Sequence, residues 1–193
     1  MIRQTRGHDF PEKFSQALVY AARKHAKQRR KGTRIPYISH PLAVASLVLE
    51  NGGGEDEAVA ALLHDVAEDQ GGRAALAEIR DLFGARVAAI VEGCSDTLED
   101  PKPAWRPRKE AYVAHLLRAS RSVRLVAAAD KLHNARSILR DYRNLGDEVW
   151  DRFSAPKEDV FWYYRAVTRS LAARGSSTLV EELDRTVEEI VHH

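Results

Sequence analysis

The sequence predicts an all-α fold, on three observations. Apolar residues recur at three- and four-residue spacing in segment after segment, glycines and prolines punctuate those segments, and no run alternates apolar with polar residues as a half-buried strand would. With 193 residues and 44% hydrophobic content, the chain can build one substantial core. The expectation is a single domain over residues 1–193 with about eight to ten helices. Its chemical motifs fall within 11–140, and 141–193 forms a helical C-terminal closure.

Composition limits the partners. Thirty basic and 28 acidic residues leave a formal charge of +2, so no global field argues for nucleic acid, and anion selectivity must come from a local cluster. The lone Cys94 excludes an intramolecular disulfide framework and fits a reducing compartment. Met1-Ile2-Arg3-Gln4-Thr5-Arg6 leads into no apolar segment and no stretch approaches a membrane span, so the expected location is cytoplasmic, away from membranes. Oligomeric state is left open. His192-His193 could be the stub of a purification tag and are set aside from any metal argument.

Taken in order, Pro11 suits a first turn, and Phe14, Ala17, Leu18, Ala21, Ala22 and His25 predict a helix running to about Lys31, with Gly32 as its stop. Its end is strongly basic, from Arg23-Lys24 to Lys27-Gln28-Arg29-Arg30-Lys31-Gly32-Thr33-Arg34. Such a run is either a solvated face or a cationic loop of the kind a polyphosphate needs. Pro36 and Pro41 hold the next stretch extended and open a second helix, fixing His40 at its start. Leu42, Val44, Ala45, Leu47 and Val48 carry that helix to Asn51-Gly52-Gly53-Gly54.

A central helix is expected from about Glu55 to Gly71-Gly72, and its core is Ala61-Leu62-Leu63-His64-Asp65-Val66-Ala67-Glu68-Asp69. Four ionisable side chains inside six residues of an apolar run destabilise it unless something compensates the charges. His64 and Glu68 stand one turn apart, as do Asp65 and Asp69. Two readings compete here: a metal site flanked by carboxylates, or a packed histidine among surface carboxylates.

Ala74, Leu76, Ile79 and Leu82 mark a short helix stopped at Phe83-Gly84, and Val87, Ala88, Ile90 and Val91 mark another. Cys94 then reads as a buried small hydrophobe. Ser95 to Pro107, with three prolines, is the longest loop, one that could order on ligand binding. A helix over about Arg108–Ala119 follows, then Leu125-Val126-Ala127-Ala128-Ala129-Asp130-Lys131-Leu132-His133-Asn134-Ala135. Asp130 lies in a segment whose composition buries it, so it needs a metal, a cation or several donors. Asn134 is one turn further on. An aromatic helix from about Pro156 to Arg174 and a last helix through Leu179, Val180, Leu183, Val187 and Ile190 close the fold.

His40, His64, Asp65 and Asp130 together offer two nitrogen and two oxygen ligands. That set suits a divalent ion, manganese first, with iron or zinc as alternatives. This order, H…HD…D, resembles the HD superfamily of metal-dependent phosphohydrolases. Arg30-Lys31 leading to Pro36-Tyr37-Ile38-Ser39-His40-Pro41, then Ala61 to Asp69, Phe83-Gly84 and Ala129 to Asn134, are similar to the hydrolase domain of the RelA/SpoT family. Gln70 departs from that pattern, standing where threonine is usual, and the Arg-Lys to Pro-Tyr segment is one residue longer than in many long members.

The resemblance implies an alarmone hydrolase of the stringent response that removes pyrophosphate from the 3′ position of guanosine tetra- and pentaphosphate. It also implies NADPH phosphatase activity as a side reaction, and it makes Glu68 the group that moves the water's proton, with Asp69 assisting. Arg30 and Lys31 would grip phosphate, with Arg30 alternatively stacking on guanine, and Asn134 would hydrogen-bond the ribose or a phosphate; Lys131, His133 and His25 fit supporting roles. The alternatives are another HD-type nucleotide phosphohydrolase and a nucleotide sensor without turnover.

Overall fold

The structure is a computed structural model that describes residues 12–192; Pro11 and His193 lie outside the described residues. Ten α-helices and one 3-10 helix make up the described chain. They are α1 (Glu12–Lys24), α2 (Ser39–Glu50), α3 (Glu55–Leu63), α4 (Val66–Gln70), α5 (Gly72–Phe83), α6 (Ala85–Cys94), α7 (Trp105–Leu116), α8 (Arg121–Leu145), the 3-10 helix (Gly146–Arg152), α9 (Lys157–Ala172) and α10 (Thr178–His192). Among the described residues the only extended pairing is an isolated antiparallel bridge between Arg29 and Pro36.

That bridge corrects the first expected boundary. α1 ends at Lys24, not Lys31, because the basic run folds back on itself: Arg30 N–H donates to the Ile35 carbonyl at 2.9 Å and Tyr37 N–H to the Gln28 carbonyl at 3.1 Å. Gly32, at φ +70°, takes the left-handed turn conformation that side chains disfavour. The basic residues therefore form a tight loop that leads into α2.

The central helix is also interrupted. His64 and Asp65 separate α3 from α4, with Asp65 at φ −91° and ψ −9°. The His64 imidazole Nδ1 donates to the Ala61 carbonyl at 2.8 Å, the carbonyl an unbroken helix would give to the Asp65 N–H. Glu68 and Asp69 thus stand on a separate short helix from the His64 turn.

α7 begins at Trp105, three residues before the expected Arg108, with Pro107 tolerated inside the first turn. The Leu125–Ala135 run belongs to a 25-residue helix that starts at Arg121 and is capped by Ser120, whose hydroxyl accepts the Val123 N–H. The 3-10 helix after Gly146 was not anticipated.

α8 is the rod around which the rest packs. Its Val126, Ala127, Ala129, Leu132 and Ala135 are buried, and it meets α2, α3, α6, α10 and the 3-10 helix. Small residues allow these close approaches: Ala58 to Ala61 in α3 are all buried, and a Cβ added at Gly93 of α6 would stand 2.6 Å from the Val123 side chain. Leu62 and Leu63 are fully buried, each worth about 1.5–3 kcal/mol, and they anchor the turn that presents His64. Cys94 is buried as expected, and burial pushes its thiol well above the usual range, so it stays protonated. No helix among the described residues is long and apolar enough to cross a membrane.

Candidate metal centre and its adjoining cavity

His40 from the start of α2, His64 and Asp65 from the α3–α4 junction and Asp130 from mid-α8 come together. The two imidazole Nε2 atoms are 3.2 Å apart. Asp65 Oδ2 stands 3.4 Å from His40 Nε2 and 3.1 Å from His64 Nε2, and Asp130 Oδ1 stands 3.1 and 3.6 Å from the same atoms. Donors of His40, His64 and Asp65 all lie within 4.8 Å of one another. Neighbouring ligands of one ion held at about 2.0–2.2 Å are separated by roughly 3.0–3.6 Å, so the spacing fits a shared cation.

The charges point the same way. A carbonyl can only accept, so the Ala61 bond fixes the proton of His64 on Nδ1 and leaves the Nε2 lone pair facing two carboxylates. Lone pairs gathered in a buried site repel unless a proton or metal ion lies between them. Burial pushes the His64 imidazole toward neutrality, but Asp65 and Asp130 outweigh it and raise its pKa well above the usual range. The demand for positive charge is built in, and the residues present fit a divalent ion.

A second set of side chains fixes these donors. Tyr37 Oη donates to Asp65 Oδ2 at 2.6 Å, His40 Nδ1 meets His133 Nδ1 at 2.7 Å, and Asn134 Nδ2 donates to Asp130 Oδ1 at 2.6 Å. Lys131 Nζ donates to the other Asp130 oxygen at 2.6 Å. Asp130 therefore has the basic partner that a purely structural reading required, and it faces the imidazoles as well. Burial, His40 and Arg30 lower His133 to about 4, so it is neutral and its Nδ1 can accept from His40.

Beside the cluster lies a cavity of about 350 Å³. Arg30, Lys31, Lys109, Lys131, Arg140 and Arg152 line it, along with Tyr37, Trp105, Phe153, Tyr163 and Tyr164. Arg30 donates to Asn134 Oδ1 at 2.7 Å and stands 5.7 Å from the Tyr37 ring centroid, which joins the basic loop to Asp130 through one amide. Lys31 is exposed on the same wall. Arg30, Lys31 and Asn134 thus line one cavity.

Glu68 and Asp69 are placed differently. Among the described contacts neither reaches the four donors or the cavity wall. Glu68 Oε1 accepts from Lys102 at 2.9 Å and Oε2 from the Asp96 N–H at 3.2 Å, while Asp69 Oδ2 accepts from Gln28 at 2.8 Å. Burial and the Asp96 charge raise Glu68, with Lys102 opposing; burial and Asp65 raise Asp69. His25, expected in support, is buried against Tyr37 and binds Gln28 at 2.6 Å, and Gln28 in turn holds Asp69. His192 pairs with Glu188 at the end of α10, away from this site.

The sequence reading singled out none of Lys109, Arg140, Arg152, Phe153 and Tyr163, although it named Tyr164 in an aromatic helix whose edge could line a pocket. One signal for part of this wall was available: Asp130, Asn134, Ser137 and Asp141 form a stripe at helical spacing, and the last three line the cavity. Asp141 then orders two of the missed cations, accepting from Arg140 at 3.0 Å and Arg152 at 2.7 Å.

A helical bundle presenting His, His-Asp and Asp in this geometry defines a class, and residues 17–161 match the HD domain family. The chain belongs to that family, among its RelA/SpoT-type hydrolases. It is 37% identical over 169 residues to the guanosine-3′,5′-bis(diphosphate) 3′-pyrophosphohydrolase MESH1 of Xenopus tropicalis, covering 86% of this chain and 87% of the relative. The human MESH1 is 36% identical over 170 residues, covering 86% and 88%. A solved structure described as a metazoan ortholog of SpoT that hydrolyzes ppGpp superposes with a TM-score of 0.74 at 28% identity, covering 92% of this chain and 95% of that one.

Proposed function

We propose that the protein hydrolyses guanosine 3′,5′-bis(diphosphate) and its pentaphosphate analogue, releasing 3′-pyrophosphate and GDP or GTP, and that residues 1–193 act as one domain. The observation that carries this reading is the junction of two features. A two-histidine, two-carboxylate cluster, buried except at the partly exposed Asp65, touches, through Tyr37, Lys131 and Asn134, a cavity walled by six cations and several aromatic rings. Named relatives with this activity span nearly the whole chain and support it.

In this reading His40, His64, Asp65 and Asp130 hold one divalent ion, manganese first and iron or zinc as alternatives. When bound, the ion polarises a phosphoryl oxygen and makes water a stronger acid. The chain's own residues do the rest. Arg30, Lys31 and the other cavity cations neutralise the diphosphates, and the Tyr163, Tyr164 and Phe153 rings offer faces for a base. Asn134 links substrate to Asp130.

Water attacks the phosphorus on the ribose 3′ oxygen, that P–O bond breaks, and the 3′ oxygen leaves as the hydroxyl after taking a proton from solvent. By the family resemblance Glu68 receives the water's proton through intervening solvent, since its carboxylate binds Lys102 and the Asp96 N–H and not the four donors, and Asp69, held by Gln28, assists. No nucleic acid or membrane is needed, and the cytoplasm supplies such a substrate. Chromatography of products from guanosine tetraphosphate, with and without manganese, tests the proposal. GDP and pyrophosphate formed only with metal are expected; persistent substrate with bound nucleotide would leave a sensor.

A further inference from the structure

Asp96 lies in the loop between α6 and α7, nine residues before α7, so it caps neither helix. Its side chain is only 5% exposed and belongs to none of the groups assigned so far. The Oδ2 atom accepts from Arg108 at 2.5 Å and from Lys109, which are successive residues of α7. Its backbone N–H donates to Glu68 Oε2. Lys109 in turn lines the cavity, 4.7 Å from the Tyr163 ring centroid.

One residue thus touches both halves of the candidate machinery, which are otherwise carried on different elements. We propose that Asp96 is a positioning residue that holds Glu68 through its main chain and the Lys109 ammonium through its carboxylate, setting proton transfer and phosphate binding in register. This rests on the hydrolase reading above. A salt bridge that only fastened α7 to the loop would need neither contact with Glu68 nor a partner cation on the cavity wall.

The burial of Asp96 would raise its carboxyl, but Lys109 and Arg108 outweigh burial and hold it at about 2, so it is charged throughout the working range. The charged groups facing Glu68 are Lys102 and Asp96 from this loop and Asp65 from the α3–α4 junction. Replacing Asp96 by asparagine keeps the N–H on Glu68 and removes one negative charge beside it.

The test is steady-state hydrolysis of guanosine tetraphosphate over a pH range by wild type, Asp96→Asn, Lys109→Met and the double variant. Asp96→Asn should raise KM about tenfold, because Lys109 loses its anchor, and should move the acidic limb of kcat/KM to lower pH. Lys109→Met should raise KM similarly, and the double variant should add little, since both changes remove one interaction. Should Asp96→Asn fail to fold, the double variant removes both charges of the pair together and carries the same two readouts.

An active wild type with unchanged KM and unchanged acidic limb in folded Asp96→Asn would overturn the inference and leave the hydrolase reading intact. Fully multiplicative KM effects in the double variant would also overturn it. A wild type that does not turn over the substrate would end the hydrolase reading, and this inference with it.

Discussion

A carboxylate that takes a proton from water must first be ionised, and Glu68 is placed so that this depends on pH. Burial and Asp96 raise it, so on acidification its basic form is lost earlier than that of an ordinary glutamate, and turnover should fall on the acid side. Glu68→Gln keeps shape and hydrogen bonding but not basicity; kcat should fall on the order of 10²–10⁴-fold with metal content unchanged. Near-normal kcat would pass the role elsewhere. Asp130→Ala removes a donor and also strands the Lys131 ammonium, so metal per chain measured by elemental analysis should drop toward zero. Full retention would make Asp130 merely the partner of Lys131. Arg30→Ala or Lys31→Ala should raise KM with metal content intact, and unchanged kinetics in both would return the basic loop to a solvated role.

Between elements, the site depends on how closely helices approach α8. Gly93 lets α6 lie against Val123, where an added Cβ would stand 2.6 Å from the valine methyl. Helix propensity alone favours alanine there by about 1 kcal/mol. Overpacking should win: Gly93→Ala is expected to destabilise by about 1–3 kcal/mol, seen as a lower midpoint in urea at constant m. A raised midpoint would show that α6 can move away without cost. The α3–α4 interruption matters for the same reason. By ending α3 at Leu63, the chain turns His64 and Asp65 toward α2 and α8 and sends Glu68 toward the loop between α6 and α7.

At the scale of the molecule, metal and protons both act on stability through linkage. An ion that binds the folded cluster adds about 2.7 kcal/mol at a hundredfold excess over its dissociation constant. Manganese should therefore raise the Tm of chelator-treated protein by about 5–10 °C, and an unchanged Tm would argue that the four donors do not share an ion. Asp96 gives the acid limit: its folded pKa of about 2 lies below the unfolded value near 3.8. Its contribution, on the order of 2 kcal/mol, is complete above the unfolded pKa and disappears as pH falls through about 2. Asp96→Asn should flatten the stability loss between pH 4 and 2 in chelator-free melts.

Helical spacing, with Gly and Pro punctuation, was enough for the all-α class and for most boundaries, because those signals are local. His40, His64, Asp65 and Asp130 are the residue types a divalent ion binds, and buried composition around three of them already required compensation. Side-chain competition and long-range pairing were not legible. The His64 bond to Ala61 breaks a helix that periodicity would continue, and the Arg29–Pro36 bridge folds a run that reads equally well as helix. The cavity wall was hidden for a similar reason: Lys109, Arg152 and Tyr163 have ordinary local surroundings and converge only when α7, the 3-10 helix and α9 pack together beside α8. Glu68 shows the limit most clearly. Sequence set it one turn from His64, whereas the tertiary structure decided that its carboxylate meets Asp96 and Lys102, since hydrogen-bond partners from a distant loop outweigh nearness along the chain.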